Sequence, residues 1–202
     1  MRTKLYRSLV LISAILAISA ILAISSPHAS AEAVKNSIIL TKLADKSSEA
    51  PRNFQATESI RPAPELVIYD AEDKPLAISA FKGRGIVLNF WATWCAPCVK
   101  EMPDLDRLHA LLKKEGIDVL AVSVDRNALR LAKKFYKINE IRHMPVLIDK
   151  NRKVLRRLSI RGLPTTVLIN PEGMEVGRIV GAIEWNSPEN VAFLRRLLAP
   201  KK

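Results

Sequence analysis

Two cysteines, Cys95 and Cys98, are the only ones in the 202 residues, and Ala96 and Pro97 separate them. An apolar run, Ile86-Val87-Leu88-Asn89-Phe90-Trp91, comes before them and reads as a buried strand. Met102, Leu105, Leu108 and Leu112 follow at helical spacing. The pair therefore falls where a strand turns into a helix. Residues three apart share one face of a helical turn, so the two sulfurs can close a small disulfide. The first cysteine would stand at the helix N-terminus. Free N–H groups and the helix dipole favour an anion there, and a thiol ionises more readily. This chemistry is the exchange of two electrons between a dithiol and a disulfide.

Other uses of the pair fit less well. Structural zinc would need two more soft ligands. The chain has no other cysteine, and His28, His109 and His143 show no ligand spacing. A purely structural disulfide of this span would restrain the unfolded chain little, because the benefit grows with loop length.

The elements that position the pair can be read along the chain. Glu65 to Tyr69, a turn over Asp70 to Lys74, and Leu76 to Ile78 read as a β-hairpin in front of the central strand. The helix after the cysteines should run to about Glu115 and stop at Gly116, with a kink at Pro103. Asp118 to Val124 is a mostly apolar strand. Asp125 and Asn127 are candidate caps for a helix carrying Leu131, Phe135 and Ile138. Val146 to Ile148 reads as extended and Val154 to Leu158 as a short helix. Thr165 to Ile169 and Glu175 to Val180 form a hairpin across Asn170-Pro171-Glu172-Gly173. Ser187-Pro188 caps and opens a last helix ending near Leu198. Strands alternating with helices predict an α/β fold with a central mixed sheet flanked by helices and an N-terminal β-hairpin extension.

The run Trp94-Cys95-Ala96-Pro97-Cys98 resembles the thioredoxin active site, and Gly162-Leu163-Pro164-Thr165-Thr166 matches that superfamily's second motif. The longer stretch Asn89 to Pro103, with Phe81-Lys82-Gly83 and Gly181-Ala182-Ile183-Glu184-Trp185, is similar to the exported TlpA/ResA branch, closest to TlpA-like proteins. The resemblance covers about residues 60 to 198 and implies a thioredoxin fold. It implies that Cys95 attacks, that Cys98 resolves, and that Pro164 is cis and lies beside them. Trp94, Pro97, Leu163 and Pro164 become the substrate-binding candidates. Leu163 would offer its backbone to an extended client strand, and Pro164 would keep metal off the sulfurs. Glu101, one helical turn after Cys98, would tune the thiols or move protons. The rival reading of Glu101 is a solvated helix residue. Asn89 stands where cytoplasmic thioredoxins carry a buried acid, so proton handling would differ or pass to Glu101.

The ends and the charge bear on location. Arg2, Lys4 and Arg7 are followed by an apolar stretch from Leu9 to Ile24 and by Ser26-Pro27-His28-Ala29-Ser30-Ala31. This reads as a signal peptide cleaved after Ala31 or as an uncleaved membrane anchor. Residues 1–31 are thus the targeting segment, 32–62 a linker and 63–200 the thioredoxin-like domain. Either reading places the domain in the periplasm, free or held at the inner membrane by residues 8–26. The net charge is +12, which attracts acidic surfaces. No aromatic-and-basic pattern points to nucleic acid. Lys150, Arg152, Lys153, Arg156, Arg157 and Arg161 crowd the stretch before Pro164. They read as a solvated face or as a dock for an acidic partner.

The expected activity is that of an exported thiol:disulfide oxidoreductase, acting by Cys95 and Cys98 without cofactor or metal. The favoured direction is reduction of disulfide-containing client proteins, fed by a membrane electron donor. The resemblance points to clients in cytochrome or copper-oxidase assembly. A disulfide-donating oxidase and a copper-binding assembly protein are the rivals. Relatives of the latter use Cys-x-x-x-Cys plus His, and His143-Met144 is the only soft pair nearby.

Overall fold

The computed structural model describes residues 50–200. Among them, eight strands form one sheet: β1 (Phe54–Pro62), β2 (Val67–Tyr69), β3 (Pro75–Ala77), β4 (Gly85–Trp91), β5 (Ile117–Ser123), β6 (Leu147–Ile148), β7 (Thr165–Ile169) and β8 (Met174–Val180). The helices are α1 (Ala96–Leu112), α2 (Ala128–Ile138), α3 (Lys153–Arg157) and α4 (Pro188–Leu198), with short 3-10 turns between some elements.

The strand order is β1-β8-β7-β4-β5-β6-β2-β3. β4 pairs parallel with β5 and antiparallel with β7, so the sheet is mixed and β4 lies inside it. Every residue of β4, β5 and β7 is buried. These continuous apolar runs are what strands covered on both faces require. The predicted β-hairpin is present as β2 and β3, and Tyr69 pairs with Ile148 to join it to the sheet.

Two helix ends follow the local chemistry read from the sequence. Gly116 adopts φ +82 after the 3-10 turn that ends α1, a left-handed position glycine takes without a Cβ penalty. Ser187 caps α4 by accepting from the Asn190 N–H at 3.2 Å.

α1 carries Pro103 inside it and runs to Leu112. Two details differ from the sequence reading. Asn127 occupies the N-cap position of α2 without a side-chain bond, and Asp125 turns the other way, toward the cysteine loop. The buried face of α2 is Ala128, Ala132 and Tyr136, while Ile138 is exposed.

The largest difference is β1. It lies in the stretch read as a linker, yet it pairs antiparallel with β8 at the sheet edge, with a register shift between Ala56 and Arg61. Phe54 packs edge-on to Phe193 at 4.9 Å between ring centroids. It also fills the space above Gly177, where an added Cβ would meet the Phe54 ring at 2.3 Å. The strand carries few apolar residues because its main support is the ladder with a strand far along the chain. The ordered fold therefore starts before residue 63. The expected targeting segment, residues 1–31, lies outside the described residues. Among the described residues no helix is long and apolar enough to cross a membrane.

Candidate active site

Cys95 is the N-cap of α1: its backbone is extended and its carbonyl accepts the first helical bond, from Val99 N–H at 3.0 Å. Pro97 occupies the first turn, where a missing N–H costs nothing. Cys95 and Cys98 form a disulfide with a Cα–Cα distance of 5.3 Å. Cys98 is fully buried and Cys95 is 6% exposed, so the first sulfur is the one a partner can reach. No acidic residue lies in the first turn of α1 to oppose a thiolate there.

The loop before the cysteines is held by a carboxylate from the neighbouring strand. Asp125, just beyond β5, is buried. It accepts from Thr93 N–H at 3.0 Å, Thr93 Oγ1–H at 2.9 Å and Ser123 Oγ–H at 2.9 Å. Asp125 and Thr93 are 32 residues apart, and the sequence reading assigned Asp125 only a capping role. Trp91, the last residue of β4, is fully buried, its ring 4.9 Å from that of Phe135.

Glu101 points inward and is only 4% exposed. Its carboxylate accepts from Asn89 Nδ2–H at 3.0 Å and from Trp185 Nε1–H at 2.8 Å. Asn89 Nδ2 also donates to Thr166 Oγ1 at 3.0 Å. Burial pushes the Glu101 carboxyl up to about 7, only partly offset by the Trp185 and Asn89 hydrogen bonds. Glu101 and Cys98 lie one turn apart on the same helix and are both buried. The reading of Glu101 as a solvated residue is thus excluded. Its Trp185 partner was missed: 84 residues separate them, and only the Gly181–Trp185 match drew attention to that loop.

Leu163–Pro164 is a cis peptide bond, and Pro164 is buried just before β7. The Pro164 carbonyl accepts from Gly181 N–H at 2.9 Å. No hydrogen bond engages the backbone of Leu163 among the described residues. Trp94 is 64% exposed beside Cys95. Trp94, Leu163, Arg152 and Arg161 are among the residues lining a groove of about 290 Å³.

The basic stretch divides. Lys150 pairs with Asp73 at 2.7 Å and stands over the Tyr69 ring, and Lys153, Arg156 and Arg157 line the side facing β2. Only Arg152 and Arg161 reach the groove beside Trp94.

His109 and the His143-Met144 pair are tied into the fold by backbone contacts. His109 is buried, its Nδ1 facing the Val119 backbone, and burial lowers its proton affinity. Asp106 accepts from the backbone N–H groups of Arg142, His143 and Met144. That pins the His143-Met144 corner with Met144 buried.

The Redoxin family model matches residues 26–193. A thiol-disulfide oxidoreductase ResA of Bacillus cereus is 39% identical over 119 residues, covering 59% of this chain and 68% of the relative. ResA of Bacillus subtilis (strain 168) is 38% identical over 135 residues, covering 64% and 73%. Among solved structures, a thiol:disulfide interchange protein of the thioredoxin family from Chlorobium tepidum TLS superposes with a TM-score of 0.59 at 25% identity, covering 72% of this chain and 98% of its own. The sheet order, the disulfide at the head of α1 and the cis proline thus occur in a thioredoxin fold.

Proposed function

The chain belongs to the Redoxin family and is a thiol:disulfide oxidoreductase, and from that premise we propose that it reduces disulfides of client proteins outside the cytoplasm. The observation that carries the reading is the Cys95–Cys98 disulfide at the head of α1, one sulfur accessible and the other buried one turn from Glu101.

The reduced chain holds Cys95 at the positive end of the helix dipole, which favours its thiolate. That thiolate attacks one sulfur of a client disulfide. The client S–S bond breaks, a mixed disulfide forms, and the first client sulfur leaves as a thiolate that takes a proton from water. Resolution needs the Cys98 thiolate, which is harder to form because Cys98 is fully buried. Glu101, with its carboxyl pushed up to about 7, is matched to take the Cys98 proton near neutral pH. Cys98 then attacks Cys95 Sγ, and the second client sulfur departs. Two electrons have passed to the client, and the chain is left with the disulfide seen in the structure. A membrane electron donor supplies the two electrons that restore the dithiol.

Client positioning falls to the groove side of the site. The unengaged backbone of Leu163 can pair with an extended client segment, as an added strand does at a sheet edge. Trp94 offers an exposed apolar face beside Cys95, Pro97 holds the turn between the sulfurs, and Pro164 presents no N–H toward them. Clients in cytochrome or copper-oxidase assembly fit the resemblance to the TlpA/ResA branch. The basic, apolar N-terminal stretch fits delivery to the periplasm, by a cleaved signal peptide or by an anchor in the inner membrane.

The test is trapping. Cys98→Ala should accumulate mixed disulfides on Cys95 with client proteins, and Cys95→Ala should hold none. A chain that traps nothing refutes the exchange reading. A reduction potential typical of strong oxidants would reverse the direction and make the protein a disulfide donor.

A further inference from the structure

The groove beside Trp94 combines features that the exchange chemistry does not require. Its apolar lining comes from Val124, Leu155 and Ile160, and Arg152 and Arg161 supply its charge. Both arginines are exposed. Arg152 Nε donates to the Val124 carbonyl at 2.9 Å, which fixes the root of its guanidinium at the groove. Neither arginine pairs with a carboxylate among the described residues. The nearest acid in sequence to the groove's Val124, Asp125, is buried with both oxygens occupied by Thr93 and Ser123. Two guanidinium groups without a carboxylate partner therefore border a trough that Trp94, next to Cys95, and Leu163, next to Pro164, also line.

We propose that this groove is a docking site for an acidic client segment, in which an Asp or Glu one or two residues from the client cysteine is held by Arg152 and Arg161 while an apolar neighbour packs on Leu155, Ile160 and Trp94. The inference rests on the exchange reading above and names the class of partner that reading leaves open. Planar guanidinium groups with donors in a fork match a carboxylate well, and their charge also speeds encounter with an acidic partner. The apolar floor adds contact that an exposed ion pair alone would lack. The remaining members of the basic stretch face the β2 side, away from the groove. Selectivity is thus local to two residues and is separable from the net positive charge of the chain.

The experiment measures exchange between the reduced full chain and disulfide-bonded peptides that differ only in the residues flanking the cysteine, Glu-Leu or Lys-Leu. Hydroxyethyl disulfide serves as an uncharged probe of the thiols themselves. The wild-type chain should react with the Glu peptide about fivefold or more faster at low salt, the effect of one close ion pair in a solvated setting. The preference should fade as salt is raised. Arg161→Glu should abolish or invert it, read as the ratio of the two peptide rates so that any change in the thiols themselves, followed with hydroxyethyl disulfide, divides out. Arg157→Glu makes the same charge change outside the groove and should keep the preference. Equal rates for the two peptides in the wild type overturn the proposal, and so do equal effects of Arg157→Glu and Arg161→Glu. If those results come with normal hydroxyethyl disulfide exchange, the docking site alone is refuted. Failure with hydroxyethyl disulfide removes the exchange reading and the docking site together.

Discussion

Glu101→Gln should make the oxidised protein more stable in alkali than the wild type while changing little in acid. The carboxyl is 4% exposed and sits between Asn89 Nδ2 and Trp185 Nε1. Burial raises its proton affinity from an ordinary 4.5 to about 7. In the unfolded chain it titrates near its ordinary value. Between those pH values the folded state keeps a proton that the unfolded state has released, so stability falls as pH rises. The contribution of the neutral carboxyl is complete below about pH 4.5 and is lost as pH climbs through about 7. At ~1.4 kcal/mol per tenfold change in proton affinity, the whole loss is about 3 kcal/mol.

Glutamine has the same shape and no charge at any pH. Its carbonyl can still accept from Trp185, and its amide can donate to Asn89 Oδ1, a buried atom with no partner, once the Asn89 amide turns over. The assay is denaturant unfolding of the disulfide-intact protein from about pH 5 to about pH 8.5 at fixed ionic strength, a range that brackets the folded-state transition. The two proteins should agree within ~1 kcal/mol at the acid end, the scale of one exchanged hydrogen bond. The variant should gain by about 3 kcal/mol at the alkaline end. Titrations elsewhere cancel in the comparison. Parallel stability curves across this range would refute the argument that Glu101 is a buried acid with raised proton affinity.

Two further outcomes follow from the same geometry. Trp185→Phe removes the N–H that holds the Glu101 carboxylate, one of the two side-chain bonds that lower its proton affinity. The Glu101 transition should therefore move above about pH 7, with ~1.5–3 kcal/mol lost in alkali and less in acid; an unmoved transition would deny the contact its electrostatic role. In the reduced protein Cys95 should alkylate faster than Cys98 at neutral pH, because it caps α1 and is the less buried sulfur. Equal rates, measured by mass spectrometry of the labelled peptides, would count against Cys95 as the attacking thiol.

Much of this protein could be read locally. The cysteine pair, the Ser187 cap, the left-handed Gly116 and the apolar β4, β5 and β7 runs are set by neighbours within a few residues, where hydrogen-bond geometry and side-chain period act directly. The cis Leu163–Pro164 bond was expected only through the motif match, since a proline alone does not announce its isomer.

What the tertiary structure decided are the pairings between distant segments. β1 reads as linker because an edge strand needs little apolar content once a ladder with β8 exists, and nothing local encodes that ladder. Asp125 looks like a helix cap until the β4–β5 pairing brings it under Thr93. Glu101 has a helical position in the sequence, but its burial and its Trp185 contact depend on the loop after β8 folding back over α1. The basic stretch shows charge but not direction. The chain around α3 turns Lys150, Lys153, Arg156 and Arg157 to one side and leaves Arg152 and Arg161 at the groove beside Trp94. The sequence determined which chemistry the chain carries, because a thiol pair at a helix start is a local arrangement. The fold decided how that chemistry is tuned and what it can grip, because burial and charge placement come from contacts across the whole sheet.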